Sequence, residues 1–351
     1  MCVSHALRVS AFVVVLRGYA FGDALIEDTA VKKRILWWIG FGLIGVIALV
    51  LVAKARWDAA YFKGYDPALD LDAREEPATL EPAYRRIEFS FQGVQGEDHV
   101  PGILVTPRSW KGPYPCIIFL HGIGQKKEFI DDIAEPFIKA GFAMATFDQY
   151  TRGERRLPDE AGILEEGLAL RRRGALTVLE TRRMVDYLES REDIAAHRIY
   201  LVGASFGAIT GATAFAFEPR LQAAVLVYGG GDLPLLLDSR QARNEIGGWV
   251  KPLTMVMSFL LAPADPVNYI GRAAPRPILF QNGTHDTLVP AASGRALFEA
   301  AGDPKEIIWY DSDHIGLNEA HVWVVLEDAI EWLREQDRQI RKNVEGVSHA
   351  T

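Results

Sequence analysis

Cysteine is scarce in this chain of 351 residues, which contains only Cys2 and Cys116. Two thiols cannot form a disulfide framework, and they provide no metal-ligand spacing. Cys116 falls within an apolar segment, where a cysteine acts as a small buried residue. The sequence therefore predicts no disulfide framework, and the chemistry that it indicates needs no metal and no organic cofactor.

Basic residues are fewer than acidic residues in this chain. Lysine and arginine together number 38, against 46 aspartates and glutamates, which gives a net charge of -8 at pH 7. A surface that binds nucleic acid needs clustered basic side chains, so this balance argues against a nucleic-acid partner. Internal repeats and low-complexity segments are absent as well. The composition, 49% hydrophobic and 24% charged, is typical of a globular protein.

One long apolar run lies near the N-terminus. Residues 35–53 carry no charged side chain, and Lys32-Lys33-Arg34 precedes them. This length just spans a hydrocarbon core of about 30 Å as a helix. Trp37 and Trp38 suit the boundary with the lipid headgroups. The run therefore predicts a transmembrane anchor or a signal segment, which makes a membrane one expected partner.

The orientation and fate of this segment stay open at the sequence level. The basic cluster before the run favours an N-terminus inside the cell, which would place the following domain in the periplasm or outside. Lys54, Arg56 and Lys63 on the other flank weaken that bias. Ala53-Lys54-Ala55 also fits the small-x-small cleavage rule, which would yield a secreted protein. We expect an uncleaved single-pass anchor because the apolar run is long.

The pattern after residue 85 is that of an α/β protein. Residues 86–92 and 99–105 alternate apolar and polar side chains, as in an antiparallel hairpin at a sheet edge. Later strands are apolar throughout and alternate with helices, which predicts a mostly parallel sheet covered on both faces. Ligands of such sheets collect beyond the carboxyl ends of the strands. These predicted strands are residues 116–120, 142–147, 199–202, 223–228, 278–281 and 307–310.

Ser205 is the candidate nucleophile. It lies in Gly203-Ala204-Ser205-Phe206-Gly207, between a predicted strand and an alanine-rich helical segment, residues 208–217. A strand, a sharp turn and a helix are the context in which Gly-x-Ser-x-Gly presents a reactive serine. The pentapeptide also occurs by chance as an ordinary glycine-containing turn. Its position in the predicted sheet favours the nucleophile.

A serine hydroxyl needs a base, and the base needs an orienting carboxylate. Of eight histidines, His314 follows the last predicted strand and precedes the last helix. Asp286 follows the preceding strand, so the chain order is Ser, Asp, His. A structural histidine and a turn-capping aspartate are the alternatives. The competing acids are Asp232, Asp311 and Asp313.

Attack on a carbonyl creates an oxyanion that needs fixed donors. The amide of Phe206, directly after the serine, can be one donor. The amide of Ile123 can be the second, because glycines on both sides let the loop His121-Gly122-Ile123-Gly124 turn it inward. We expect the ring of His121 to brace this loop.

Residues 232–275 form a long insertion rich in apolar side chains. We interpret it as a helical cap that covers an acyl pocket; simple packing of surface helices is the alternative. Trp249 and Met255 within it, and Tyr150 after an earlier strand, are candidate substrate-binding residues. The run Arg171-Arg172-Arg173 is interpreted as the solvated start of a helix.

Together these residues resemble the α/β-hydrolase superfamily, over residues 86–336. Residues 117–122, 148–155, 198–207 and 283–290 are similar to the dienelactone-hydrolase-like and prolyl-oligopeptidase-like esterases. The resemblance implies that Ser205, Asp286 and His314 form a triad, and that the amides of Ile123 and Phe206 form the oxyanion hole. Dienelactone hydrolases have a cysteine where this chain has Ser205. The N-terminal propeller of the oligopeptidases has no counterpart here.

The expected fold is an α/β-hydrolase fold with a mostly parallel central sheet, helices on both faces, a helical cap insertion and an N-terminal transmembrane helix. We expect a membrane-anchored serine hydrolase that cleaves small-molecule carboxylic esters through an acyl-enzyme. A peptidase or amidase of the same fold, or a non-catalytic binding protein, remains the alternative, and the oligomeric state is undefined. The predicted divisions are a tail (1–31), the anchor (32–56), a linker (57–85), the hydrolase domain (86–337, with the cap at 232–275) and a charged tail (338–351).

Overall fold

The computed structural model describes residues 29–94, 98–108, 112–156, 163–316 and 321–348. The chain divides into two compact units, residues 1–60 and 61–351. Within the first unit the structure describes one helix, α1 (Thr29–Ala59). Residues 32–59 of this helix are long and apolar enough to cross a membrane, and a signal sequence near an N-terminus has the same properties. Most of the predicted tail lies outside the described residues.

In the described residues of the second unit, ten strands form one sheet. The strands are β1 (Arg74–Glu75), β2 (Thr79–Leu80), β3 (Tyr84–Gln92), β4 (His99–Pro107), β5 (Tyr114–Leu120), β6 (Ala143–Phe147), β7 (Ile194–Ala204), β8 (Leu221–Val227), β9 (Ile278–Gly283) and β10 (Lys305–Tyr310). Their order is β1-β3-β4-β6-β5-β7-β8-β9-β10, and β2 also pairs with β3. From β6 to β10 in this order the neighbouring strands run parallel.

The two strand patterns of the sequence correspond to two parts of this sheet. The alternating segments form the antiparallel pair β3 and β4, in register from Tyr84 opposite Pro107 to Gln92 opposite His99. The segment 307–310 lies in β10, the partly buried strand at the parallel edge of the sheet. The other apolar segments form the interior of the sheet, where every residue of β5 is buried, Cys116 among them. Helices cover both sides of these strands, so neither face reaches water. The predicted mostly parallel sheet with an antiparallel hairpin at its edge is confirmed.

The described residues of the second unit also form helices. They are α2 (Ile130–Lys139), α3 (Ile163–Glu189), α4 (Phe206–Phe217), α5 (Leu233–Leu237), α6 (Arg240–Ile246), α7 (Val250–Leu261), α8 (Ala291–Ala300) and α9 (His321–Ser348). Two hydrophobic cores lie on the two faces of the sheet. One contains buried residues of α3, α4 and α8, such as Val185, Phe215 and Leu297. The other contains buried residues of α2 and α9, such as Phe137 and Val325.

Three segments extend what the sequence pattern predicts. The predicted linker adds β1 and β2 to the antiparallel edge of the sheet. The insertion at 232–275 contains α5, α6 and α7 together with short 3-10 turns. Helix α9 continues through most of the predicted charged tail, as far as Ser348.

Candidate active site

Ser205 occupies a strained turn between β7 and α4. Its backbone has φ 55° and ψ −118°, a conformation that non-glycine residues rarely adopt. The glycines around it leave no room for side chains: a Cβ on Gly203 would lie 2.3 Å from the Gly207 carbonyl oxygen, and one on Gly207 would lie 1.9 Å from the Leu120 carbonyl oxygen. The amide of Ser205 donates to the carbonyl of Val227 at 2.8 Å. The turn therefore holds the serine at the carboxyl edge of the sheet.

His314 and Asp286 reach Ser205 from the loops after β10 and β9. His314 Nε2 lies 2.9 Å from Ser205 Oγ, and His314 Nδ1 lies 2.7 Å from Asp286 Oδ2. A carboxylate only accepts hydrogen bonds, so Nδ1 carries the proton and leaves Nε2 free to accept the serine proton. The other Asp286 oxygen accepts from the amides of Leu288 and Val289 at 2.8 and 2.7 Å. These bonds hold the carboxylate toward the imidazole.

The competing acids bind other groups. Asp232 caps the N-terminus of α5, and Asp311 pairs with the exposed His285 at 2.9 Å. Asp313 accepts from the amides of Thr287 and His314 at 2.8 and 2.7 Å. Burial alone would raise the pKa of Asp313, but these amides lower it overall. Asp313 therefore stays ionised and joins the loop of Asp286 to the loop of His314.

The loop that carries Ile123 lies against the serine. A Cβ on Gly122 would be 3.6 Å from Ser205 Cβ. His121 Nδ1 lies 2.9 Å from the Gly122 carbonyl oxygen. Because a carbonyl oxygen only accepts hydrogen bonds, Nδ1 is the donor. Because that carbonyl and the Ile123 amide belong to one planar peptide, the bond sets the direction of the Ile123 N–H. Burial lowers the pKa of His121 to about 4, so its ring is neutral at pH 7.

The second candidate donor is the amide of Phe206. Phe206 is the first residue of α4, and the first amides of a helix have no carbonyl partner within that helix. The loop after β5 and the first turn of α4 therefore carry the two candidate donors, the amides of Ile123 and Phe206. This arrangement can stabilise negative charge on an oxygen bonded to a carbon that Ser205 attacks.

Arg173 was not recognised from the sequence as part of this region. The expectation that the arginine run is the solvated start of a helix is wrong, because the run lies inside α3 and Arg171 is buried as well. Arg173 is only 1% exposed. Its guanidinium donates twice to Gln149 Oε1, at 3.1 and 2.8 Å, and once to the Ile123 carbonyl at 3.1 Å. Burial, with a smaller contribution from Arg152, lowers the pKa of Arg173 to about 9, so it remains charged at neutral pH. The only sequence signal was that three successive arginines on a helix must point in different directions.

An apolar cavity of about 240 Å³ begins at Ser205 and His314. It extends between the sheet, at Phe119 and Val202, and helices α2 and α9. Among the described residues, no side chain of the predicted cap lines this cavity. The predicted acyl pocket beneath the insertion is therefore not the cavity beside Ser205.

The three predicted substrate-binding residues lie elsewhere. Trp249 and Met255 are 75% and 70% exposed, because the insertion packs on the domain through other residues, such as Val250 and Leu261. Tyr150 lines a separate polar cavity, where its hydroxyl accepts from Arg172 at 3.2 Å. None of the three lines the cavity beside Ser205.

Comparison with known proteins defines the family. Residues 100–336, more than half of the chain, match the dienelactone hydrolase family. The chain belongs to this family. Membership makes the chain a hydrolase, and the matched residues include Ser205, Asp286 and His314.

Relatives and solved structures agree with this assignment. The chain is 24% identical to YtaP of Bacillus subtilis (strain 168) over 220 residues, which cover 58% of this chain and 71% of that protein. It is 25% identical to the esterase YjfP of Escherichia coli (strain K12) over 206 residues, 54% of this chain and 76% of that one. Acetyl xylan esterase 1 from Thermoanaerobacterium sp. superposes with a TM-score of 0.64 at 17% identity, covering 81% and 93% of the two chains. At this identity the likeness shows the α/β-hydrolase fold.

Proposed function

We propose that this hydrolase is a serine esterase in which Ser205, His314 and Asp286 act as a catalytic triad on carboxylic esters. The observation that carries the proposal is the line of hydrogen bonds from Asp286 Oδ2 through the imidazole to Ser205 Oγ, at 2.7 and 2.9 Å. These lengths are within hydrogen-bond reach for proton transfer between a nucleophile and its base. The strained backbone at Ser205 supports the same role.

The reaction follows from this geometry in two halves. His314 Nε2 takes the Ser205 proton while Oγ bonds to the ester carbon, and the amides of Ile123 and Phe206 stabilise the resulting oxyanion. The carbon–oxygen bond to the alcohol then breaks, and His314 returns the proton to the leaving alcohol. Water, deprotonated by the same nitrogen, attacks the acyl carbon; the bond from that carbon to Oγ then breaks, His314 returns the proton to Oγ, and the acid is released. Asp286 holds the imidazole and stabilises its charged form.

Esters are proposed over amides because two of the compared proteins, YjfP and acetyl xylan esterase 1, are named as esterases. A peptidase or amidase would share the same triad. Hydrolysis of p-nitrophenyl acetate and of aminoacyl p-nitroanilides by the purified chain separates the two. We expect turnover of the ester and little turnover of the anilides; the reverse preference would replace the esterase with an amidase.

The serine mechanism has its own test. A fluorophosphonate probe should label both the wild type and the control variant Ser190→Ala. Among the described groups, the hydroxyl of Ser190 donates only to the Tyr187 carbonyl, so its loss should leave the active site unchanged. Labelling and ester hydrolysis should both disappear in Ser205→Ala. Labelling that persists in Ser205→Ala would assign the nucleophile elsewhere, and an unlabelled, folded wild type would remove the serine mechanism.

We further propose that residues 32–59 of α1 anchor the enzyme to a membrane, with the hydrolase domain, starting near residue 61, on the periplasmic or outer side. The length and apolar composition of this helix support the span, and the preceding basic residues support the orientation. An anchored chain stays with membranes at alkaline pH, keeps its full mass and is digested by protease added to intact spheroplasts. A mature chain that begins after residue 55 would indicate a cleaved signal and a secreted enzyme.

A further inference from the structure

The cavity beside Ser205 has a mouth and a closed end. Two of its lining residues, Ile123 and Leu288, are 48% and 41% exposed. Those between the sheet and the helices are almost completely buried, with Ile133 at 4% and Phe137 and Val325 at 0%. This gradient of burial means that the cavity leads from the protein surface, past the nucleophile, into the core beneath α2 and α9.

The walls have the chemistry of a binding pocket for hydrocarbon. Helix α2 contributes Ile133 and Phe137, the 3-10 turn before it contributes Phe129, and α9 contributes Val325 and Leu326. A charged group placed among such side chains would lose its hydration without gaining a partner, which is strongly unfavourable. An uncharged chain would instead gain the free energy of burial. The closed end therefore discriminates by charge as well as by size.

We propose that this cavity binds the acyl group, and that the enzyme acts on esters of uncharged, apolar carboxylic acids of about six carbons. This inference rests on the proposed esterase function. The size follows from the volume: an apolar cavity of about 150 Å³ accommodates benzene, and this one measures about 240 Å³. With the carbonyl carbon at Ser205 Oγ, the acyl chain enters the cavity, and the alcohol remains outside, toward solvent.

This assignment differs from a pocket under the insertion in a measurable way. The exposed face of α7, which includes Leu253 at 44% exposure, contributes nothing to the cavity. Each methylene that enters an apolar site improves binding by about fourfold, from about 0.8 kcal/mol per methylene. For p-nitrophenyl esters we expect kcat/KM to rise by about this factor per methylene from acetate to hexanoate and then to fall. A hemisuccinate ester should be a poor substrate.

The deciding experiment compares acyl-chain profiles of three variants. Ile133→Phe fills the cavity and should lower the hexanoate-to-acetate ratio of kcat/KM at least tenfold. Ile133→Ala enlarges the cavity and should move the preferred chain length upward by one or two carbons. Leu253→Phe adds similar bulk on α7 and should leave the ratio unchanged. The inference is overturned if the ratio is the same in both Ile133 variants, or if Leu253→Phe shifts it.

Failure of the esterase function has a different signature. If the folded wild type hydrolyses none of these esters, the proposed function fails, and the cavity is judged by calorimetric binding of 2-octanone, a ketone with a six-carbon chain that cannot be hydrolysed. Binding that is lost in Ile133→Phe and kept in Leu253→Phe supports an apolar subsite in this cavity. Binding that Ile133→Phe leaves unchanged rules it out.

Discussion

The guanidinium of Arg173 lies 4.4 Å from the centre of the Phe206 ring. The same group donates to the carbonyl of Ile123. One buried cation therefore contacts both residues whose amides are proposed to form the oxyanion hole, although neither contact involves an amide. We therefore expect Arg173 to be a positioning residue, which affects catalysis only through the two residues that it contacts.

Replacing Arg173 tests this positioning role. Arg173→Met removes the bonds to Gln149 and Ile123, so we expect kcat for p-nitrophenyl acetate to fall about 10- to 100-fold while KM changes little, because the oxyanion forms only after substrate binds. Arg173→Lys keeps the charge but not the two-pronged donor, and should recover only part of the loss. Arg172→Met, on the exposed neighbour, is the control. A loss that appears in KM instead would indicate a binding defect.

Asp286→Asn tests the proposed role of this carboxylate. The amide cannot orient the imidazole as the carboxylate does, so kcat should fall by about 10³ to 10⁴. Asp311→Asn is the matched control, because that carboxylate is exposed and pairs with His285. The measurement is steady-state ester hydrolysis together with a melting curve for each variant. Near-normal kcat in folded Asp286→Asn would assign the role to another acid.

The buried imidazole of His121 makes stability depend on pH. Its pKa falls from 6.5 to about 4 through burial, so the unfolded chain binds the proton more tightly than the folded one. The contribution of neutral His121 to the free energy of unfolding is therefore fully present above pH 6.5. It is lost as the pH falls toward 4, and the total loss is roughly 3 kcal/mol. Urea unfolding of the wild type and of His121→Asn at several pH values measures this. The difference between them should shrink on acidification; a constant difference would contradict the assignment.

The backbone strain at Ser205 should appear as a difference between two inactive variants. Ser205→Ala keeps a Cβ at φ 55°, whereas Ser205→Gly does not. Relief of strain of roughly 1–3 kcal/mol outweighs the greater flexibility of glycine when unfolded. Ser205→Gly should therefore have a free energy of unfolding about 1 kcal/mol higher than Ser205→Ala. Equal or lower stability of the glycine variant would mean that the turn is not strained.

Chain order and local sequence pattern were enough to predict that Ser205, Asp286 and His314 lie at the same edge of the sheet. Each of them follows a predicted strand that is mainly apolar, and the carboxyl ends of parallel strands share one edge. The parallel centre and the antiparallel β3–β4 edge followed from the same patterns. These predictions depend on neighbouring residues and on the order of strands, which a single sequence contains.

The pocket could not be found in this way. Its walls come from α2 and α9, which are distant in the chain, and its volume depends on how closely Ile133 and Val325 approach the sheet. The apolar residues of the insertion looked like a roof, yet Trp249 and Met255 face solvent. The burial of Arg173 was hidden for the same reason, since its partner Gln149 follows a different strand and only the folded chain brings the two together.

Cys116 in the middle of β5 has a further consequence. Its side chain is completely buried, and burial raises the pKa of the thiol, so alkylating reagents have neither access to it nor a thiolate to attack. Alkylation of Cys116 therefore requires the central strands to separate. Among the described residues this is the single thiol, and the rate at which it is labelled under native conditions reports how often the middle of the sheet opens.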